Sequence, residues 1–324
     1  MLPPTSLTTR RHFLRSALAA ALLALPAALC GQAPAGDGSV RFLAVGDWGR
    51  DGTAFQLPVA AQMGRTAAAE RSQFVVALGD NFYNDGVPSV EARQWRSSFE
   101  DVYTAASLQI PWYVLLGNHD YHGSVQAQLD YPLFSPRWKM PARYYTFTRR
   151  LDADNTVQFF MIDTTPLLRR VRADPSEYTD VLTQDPDLQM AWLEAELKKS
   201  TARWKIVAGH HPIYSCSPKH GDTPELVERV KPLMLKYGAR IYLNGHEHDL
   251  EHLRVDGLDF FCSGAGSKVR QTARDARTIF SLGDVGGFLS VVLTRDEFRG
   301  RFVDHLGQEV YTVVIPWAGP VAAR

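Results

Sequence analysis

The chain has 324 residues, 45% hydrophobic and 22% charged, with 35 basic against 35 acidic side chains. That is the composition of a soluble globular protein with one large domain or two small ones and no shortage of core. Setting aside the first 33 residues, which hold three Arg and no acid, leaves three acids in excess, so there is no basic surface of the kind nucleic acids require.

The chain opens on a targeting segment. Thr9 to Arg15 (TRRHFLR) resembles a twin-arginine export signal, and Ala17 to Leu29 follows as an apolar stretch of secretory length. It is shorter than the roughly 20 residues that span a bilayer, which favours a cleaved leader over a membrane anchor. Residues 1–33 are the expected leader, with cleavage after Ala33, where Gly31-Gln32-Ala33 supplies small residues; Leu29 before Cys30 does not suit a lipoprotein site. A periplasmic or secreted protein, free of the membrane after cleavage and monomeric, is the expectation. The remaining cysteines, Cys216 and Cys262, are too few for a disulfide scaffold and are expected as unpaired structural thiols.

After a linker over 34–39, β-prone apolar runs alternate with helical patterns. Strands are predicted over Val40–Val45, Phe74–Leu78, Trp112–Leu116, Gln158–Ile162, Trp204–Ala208 and Ala239–Leu243, and helices over Val90–Val102, Leu188–Lys199 and Pro224–Tyr237. Pro224 suits a first helical turn and Gly238 a helix end. Arg143–Thr148 reads as a strand paired with Gln158–Ile162 through the Asp152–Asn155 turn. Thr164–Pro186 carries charges and prolines without period and reads as a long exposed loop. Beyond Leu258 come hairpin strands: Phe288–Leu293, Phe298–Val303 and Glu309–Val314. βαβ units running into hairpins with no intervening linker predict a single α/β (α+β) domain over 40–316, two stacked mixed β-sheets flanked by helices, with 317–324 as a tail.

Five predicted strands end in a glycine followed by metal-binding residues: GDWG at Gly46, GDNFY at Gly79, GNHD at Gly117, GHHP at Gly209 and GHEH at Gly245. Each glycine permits a sharp turn, and the next side chains project from the strand's carboxyl edge, where α/β folds place ligands. Asp47, Asp80, Tyr83, Asn118, His210, His246 and His248 thereby offer four oxygen and three imidazole donors, too many for one ion and suited to iron, manganese or zinc. A two-metal hydrolase holds its ions about 3.5–4 Å apart, and Asp80 is the natural bridge. Tyr83 discriminates further, because a phenol of pKa about 10 becomes an anionic ligand near neutral pH only beside a strongly Lewis-acidic ion. With Asp47, Asp80, Tyr83 and a bridging hydroxide each at −1, a 3+/2+ pair leaves the site near +1, which attracts phosphate.

As a set, VGDWG, LGDNFYNDGV, LLGNHD, VAGHHPIYS, GHEHDLEHL, CSGAGS and GGF resemble the successive motifs of the metallophosphatase (calcineurin-like phosphoesterase) superfamily. The closer resemblance is to the small purple acid phosphatases of the tartrate-resistant type, over about Val40 to Val314. Where the wider superfamily carries Asp-x-His, this chain has Asp47-Trp48-Gly49, with Tyr83 three residues after Asp80. The resemblance implies a four-layer αββα sandwich. It also implies ferric iron on Asp47, Tyr83 and His248, divalent iron, zinc or manganese on Asn118, His210 and His246, Asp80 bridging, and a violet tyrosinate-to-iron transition. The implied reaction is hydrolysis of phosphate monoesters at mildly acidic pH by a metal-bound hydroxide, with small phosphorylated substrates and inorganic phosphate as ligands.

His119, beside Asn118, is implied as a group that binds phosphate or protonates the leaving oxygen. His220, before Gly221 on the loop after GHHP, is implied as a second such histidine, although its interval from His210 is one residue longer than in the animal enzymes; a plain loop histidine is the alternative. His211, His122, His252 and His305 read as surface or packing residues. The 164–186 loop occupies the place of an inhibitory lid in the animal enzymes, and Arg169, Arg170 and Arg172 make it a guard of the cleft, a site for acidic substrates or a merely solvated loop. Two other functions compete: a phosphodiesterase or nucleotide hydrolase with two divalent ions, and an exported iron-binding or redox protein.

Overall fold

The computed structural model describes Met1, residues 38–178 and residues 180–319; the predicted twin-arginine motif and cleavage site lie outside the described residues. In chain order the strands are β1 (Ser39–Val45), β2 (Phe74–Ala77), β3 (Trp112–Val114), β4 (Trp138–Lys139), β5 (Tyr145–Arg150), β6 (Thr156–Met161) and β7 (Trp204–Ala208). They continue as β8 (Ile241–Asn244), β9 (Leu250–Val255), β10 (Leu258–Ser263), β11 (Thr278–Leu282), β12 (Gly287–Thr294), β13 (Glu297–Asp304) and β14 (Glu309–Pro316). The helices are α1 (Gln56–Glu70), α2 (Val125–Asp130), α3 (Arg169–Ala173), α4 (Pro186–Lys199), α5 (Pro224–Arg229) and α6 (Lys231–Tyr237).

Two seven-stranded mixed sheets result, ordered β14-β13-β12-β1-β2-β3-β4 and β11-β9-β10-β8-β7-β6-β5. The centre of each is parallel, β1 with β2 and β3 in one and β6 with β7 and β8 in the other; β4 continues the first in parallel at its edge, and antiparallel hairpins close the other flanks. Central parallel strands are covered on both faces and so read as unbroken apolar runs: FVVA of β2 and IYLN of β8 are buried throughout. Strand alternation divides β1 between two cores. Phe42 and Ala44 join Phe159, Ile206 and Leu243 of the other sheet, and Leu43 and Val45 pack among helix residues such as Val59 and Met63 of α1. The Phe42 and Phe159 rings meet edge to face at 5.3 Å across the sheet interface.

Helix α4 is set as its sequence dictates: the Asp185 carboxylate accepts the N–H groups of Asp187 and Leu188, Pro186 opens the first turn, and Met190, Leu193 and Leu197 bury one stripe. Three expectations are corrected. Pro224–Tyr237 is two helices broken at Val230, since Pro232 has no N–H to continue the ladder. Val90–Val102 keeps only one widened turn, Trp95–Glu100, closed by the Asp101 N–H on the Arg96 carbonyl; its helical spacing arises because Trp95 and Phe99 reach the same aromatic cluster around Trp138. The 164–186 segment is no exposed loop: it buries Leu167, Leu168, Val171 and Val181 and contains α3. Helix α1 and strands β4, β9, β10 and β11 add to the predicted set. In α1 the small residues Ala60, Gly64 and Ala67 and the polar Gln56 and Gln62 share the buried face with Val59 and Met63, which weakens any apolar period, and in β9 buried charged or polar residues such as Glu251 and His252 mask it.

Cys216 and Cys262 are free. Among the described residues no helix is long and apolar enough to cross a membrane.

Candidate metal centre

The carboxyl ends of β1, β2 and β3 in one sheet and of β7 and β8 in the other open on a common cleft, and every predicted ligand follows one of these ends. Three of the predicted ligands hold left-handed backbone, Asp47 at φ 58°, Asp80 at φ 49° and His246 at φ 71°, a conformation that costs about 1–3 kcal/mol at a non-glycine residue and recurs at functional sites. The neighbouring glycines make room for them. A Cβ on Gly117 would lie 2.2 Å from Asp80 Oδ1, and one on Gly79, itself at φ +86°, would lie 2.7 Å from His210 Nδ1.

The Tyr83 phenol oxygen lies 2.7 Å from Asp47 Oδ1, 2.7 Å from Asp80 Oδ2 and 3.2 Å from His248 Nε2. Asp80 turns its other oxygen, Oδ1, to His210 Nε2 at 3.3 Å, and His210 Nε2 is 3.2 Å from His246 Nδ1. One carboxylate therefore faces two groups of donors. Two of these residues are fixed from behind: His210 Nδ1 donates to the Leu78 carbonyl at 2.8 Å, and Asp47 Oδ2 accepts the His246 N–H at 2.8 Å. Asn118 Oδ1 and His246 Nε2 are buried with no hydrogen-bond partner among the described residues. Orphaned buried polar atoms are costly, so this donor set fits ions: atoms of Asp47, Asp80 and His210, and likewise of His210, His211 and His246, lie within 4.8 Å of one another.

The electrostatics agree. Burial, then the Asp47 and Asp80 carboxylates, hold the Tyr83 phenol well above its ordinary 10, so only a strong cation would draw off its proton. Burial would keep His210 neutral, but the Asp80 charge pushes it up to about 9. Burial also opposes ionisation of Asp80, yet His210 and His119 beside it hold the carboxyl well below the carboxylate range. Burial and neighbouring imidazoles keep His211 and His246 neutral, the state in which histidine binds metal.

The two other predicted histidines flank the cleft. His119 stacks near Tyr83 at 4.5 Å between ring centres, turns Nδ1 to the Asn84 carbonyl and donates its backbone N–H to Asp80 Oδ1 at 2.9 Å. His220 lies on His246 with ring centres 4.4 Å apart, and its Nδ1 is 3.1 Å from Glu247 Oε1. His211 packs against His246 at 4.3 Å with Nδ1 2.8 Å from Thr164 Oγ1, and His252 is buried against Asp259 and Tyr311. Sequence reasoning missed Arg50, whose guanidinium stands 3.4 Å above the Tyr83 ring. It also missed Asp120, whose carboxylate gathers the N–H groups of Gly117 and Asn81 and so ties two motifs together. The aspartate of GNHD was a readable signal; nothing in the sequence pointed to Arg50.

Residues 40–250 match the calcineurin-like phosphoesterase family. The chain is 38% identical over 294 residues to purple acid phosphatase 4 of Arabidopsis thaliana, covering 86% of this chain and 84% of that one. It is 33% identical over 320 residues to human tartrate-resistant acid phosphatase type 5, covering 91% and 95%. Among solved structures, the anchor in the inner membrane complex of Plasmodium superposes with a TM-score of 0.77 at 25% identity over 87% of this chain and 90% of that one. A purple acid phosphatase from yellow lupin seeds shares the fold, with a TM-score of 0.64 at 18% identity, 86% of this chain and 54% of that one. The chain belongs to the calcineurin-like phosphoesterases and, within them, to the purple acid phosphatases: it is a metal-dependent phosphatase of that family.

Proposed function

We propose that this cleft hydrolyses phosphate monoesters at mildly acidic pH. In this reading Asp47, Tyr83 and His248 hold ferric iron, Asn118, His210 and His246 hold a divalent iron, zinc or manganese ion, and Asp80 is shared. The observation that carries it is the Tyr83 oxygen 2.7 Å from two carboxylates and 3.2 Å from an imidazole: a buried phenol so surrounded loses its proton only to a strongly polarising cation. When bound, the ions supply neutralising charge for the phosphoryl oxygens and a more acidic water as nucleophile.

The chain's own residues do the rest. Asp80, with one oxygen toward each donor group, sets the spacing of the two halves. The Asn84 carbonyl can only accept, so the proton on His119 sits at Nδ1 and Nε2 is left to bind the phosphate or to carry a proton to the leaving oxygen. Glu247 orients His220 through Nδ1 in the same way, with the His220 ring stacked on His246. The leader, read as a twin-arginine signal, would send the protein to the periplasm or outside the cell after metal loading in the cytoplasm.

Turnover of para-nitrophenyl phosphate against its bis ester tests the reading. The monoester should be the better substrate by a wide margin and its hydrolysis should stop on chelation. A preference for the diester would favour a phosphodiesterase with two divalent ions, and no turnover with ions bound would favour an iron-binding protein.

A further inference from the structure

Beside the centre lies a cavity of about 370 Å³ whose wall includes Leu168, Arg170, Lys219, His220, Pro224 and the predicted ligand His246. Its size is that of a small-molecule site, and through His220 and His246 it adjoins the proposed centre. The charges on its wall are unevenly satisfied. Of its two acids, Asp222 is paired at 2.7 Å with Arg277, which also holds Asp275 at 2.6 Å, and Glu225 is paired with Arg169 at 3.2 Å. The cations that accompany Arg170 on its segment are spent elsewhere: Arg169 also meets Glu228 at 3.1 Å, and Arg172 Nη1 donates to the Val181 and Gln184 carbonyls at 3.1 and 3.0 Å. The side chains of Arg170 and Lys219 have no hydrogen-bond or ion-pair partner among the described residues.

We propose that this cavity receives the organic part of the substrate and that Arg170 and Lys219 select phosphate esters whose alcohol carries a second anionic group, a phosphate or a carboxylate. The proposal rests on the hydrolytic reading above. The wall is balanced in formal charge, because Arg169 is shared by Glu225 and Glu228 and Arg277 by Asp222 and Asp275, but Arg170 and Lys219 are the cations whose donors no carboxylate among the described residues engages, so an anionic group entering the cavity finds them free to pair with it. Leu168 and Pro224 add apolar lining against which a short carbon chain can pack.

The test uses three esters of the same primary-alkyl type: n-propyl phosphate, propane-1,3-diol bisphosphate and 3-(phosphonooxy)propanoate. One unit charge at 4 Å in water-like surroundings is worth a factor of about five, so two cations amount to roughly twentyfold. The native protein should show a higher kcat/KM on the two doubly anionic esters than on propyl phosphate. The variant Arg170→Ala/Lys219→Ala should lose about twentyfold of that preference, with each single variant between. Loss for the bisphosphate alone or the carboxylate alone assigns the subsite to that anion. A native preference unchanged in the double variant, or no preference in the native protein, overturns the proposal. Should propyl phosphate itself fail to react, the hydrolytic reading falls instead, and calorimetric binding of propane-1,3-diol bisphosphate then decides: weaker binding by the double variant upholds the subsite and equal binding removes it.

Discussion

Asp80→Asn removes one negative charge and almost no volume from the point where the two halves of the cleft meet. The native carboxylate faces the Tyr83 oxygen at 2.7 Å with one oxygen and His210 Nε2 at 3.3 Å with the other, so the lost charge stood within 4 Å of both donor groups. At an effective dielectric near 20, unit charges about 4 Å apart interact by about 4 kcal/mol. Allowing half of that for the amide dipole and for water leaves about 4 kcal/mol against a dication, close to a thousandfold in affinity at 1.4 kcal/mol per decade. Elemental analysis after gel filtration should therefore find fewer than two ions per chain, and para-nitrophenyl phosphate turnover should fall by about 10³. Asp120→Asn is the matched control: that carboxylate is equally buried and accepts from the Gly117 N–H and Gln128 Nε2, both at 2.8 Å, but is none of the predicted ligands. It should cost stability and leave the ions in place. An Asp80→Asn protein that retains two ions and turns over normally would refute the shared-ligand reasoning.

The remaining predictions concern colour, space and pH. Tyr83→Phe keeps the ring beneath Arg50 but deletes the phenol oxygen, so the visible charge-transfer band should vanish while far-UV circular dichroism is unchanged; a retained band would take the tyrosinate out of the account. Gly117→Ala places a methyl 2.2 Å from Asp80 Oδ1 and 2.3 Å from the Asp80 nitrogen. It should lower metal content as severely as a ligand substitution, and normal loading would show that the two turns yield easily. Burial pushes the Asp163 carboxyl up to about 7 from its ordinary 3.8, against the opposing Tyr121 hydroxyl and Arg143 charge. The unfolded chain releases that proton near 3.8, so the stabilisation is complete below about pH 4 and is lost as pH rises through 7. Asp163→Asn cannot ionise, so its urea midpoint should be higher at pH 8 relative to pH 5 than that of the native chain; an identical pH trend would contradict the assignment.

What could be read from the sequence was what sits at strand ends. FVVAL is buried throughout and apolar without interruption, WKIVA is broken only by half-buried Lys205, and a predicted ligand follows each within a few residues, so the contact of Asp80 with His210 could be anticipated although 130 residues separate them. Elements whose periodicity is diluted were not legible. Helix α1 packs through Ala60, Gly64 and Ala67, where Gly64 lies so close to Ala105 that a Cβ would approach its Cβ to 2.7 Å, and small residues carry little hydropathy contrast. Strand β9 buries His252 against Asp259 of β10, a pairing only the folded sheet reveals. Arg50 is invisible for the same reason: its place over Tyr83 depends on the meeting of two turns, not on local spacing. The 164–186 segment misled because its charges are dense while its four buried apolar residues follow no period.

In the proposed centre a phenolate and its neighbours hold a trivalent ion beside a second, divalent one. Elemental analysis of freshly purified native protein, with its visible spectrum, tests this most directly. One iron and one further ion per chain, with an absorption band lost in Tyr83→Phe, is the predicted result. A colourless protein with no iron and a single bound ion would contradict it.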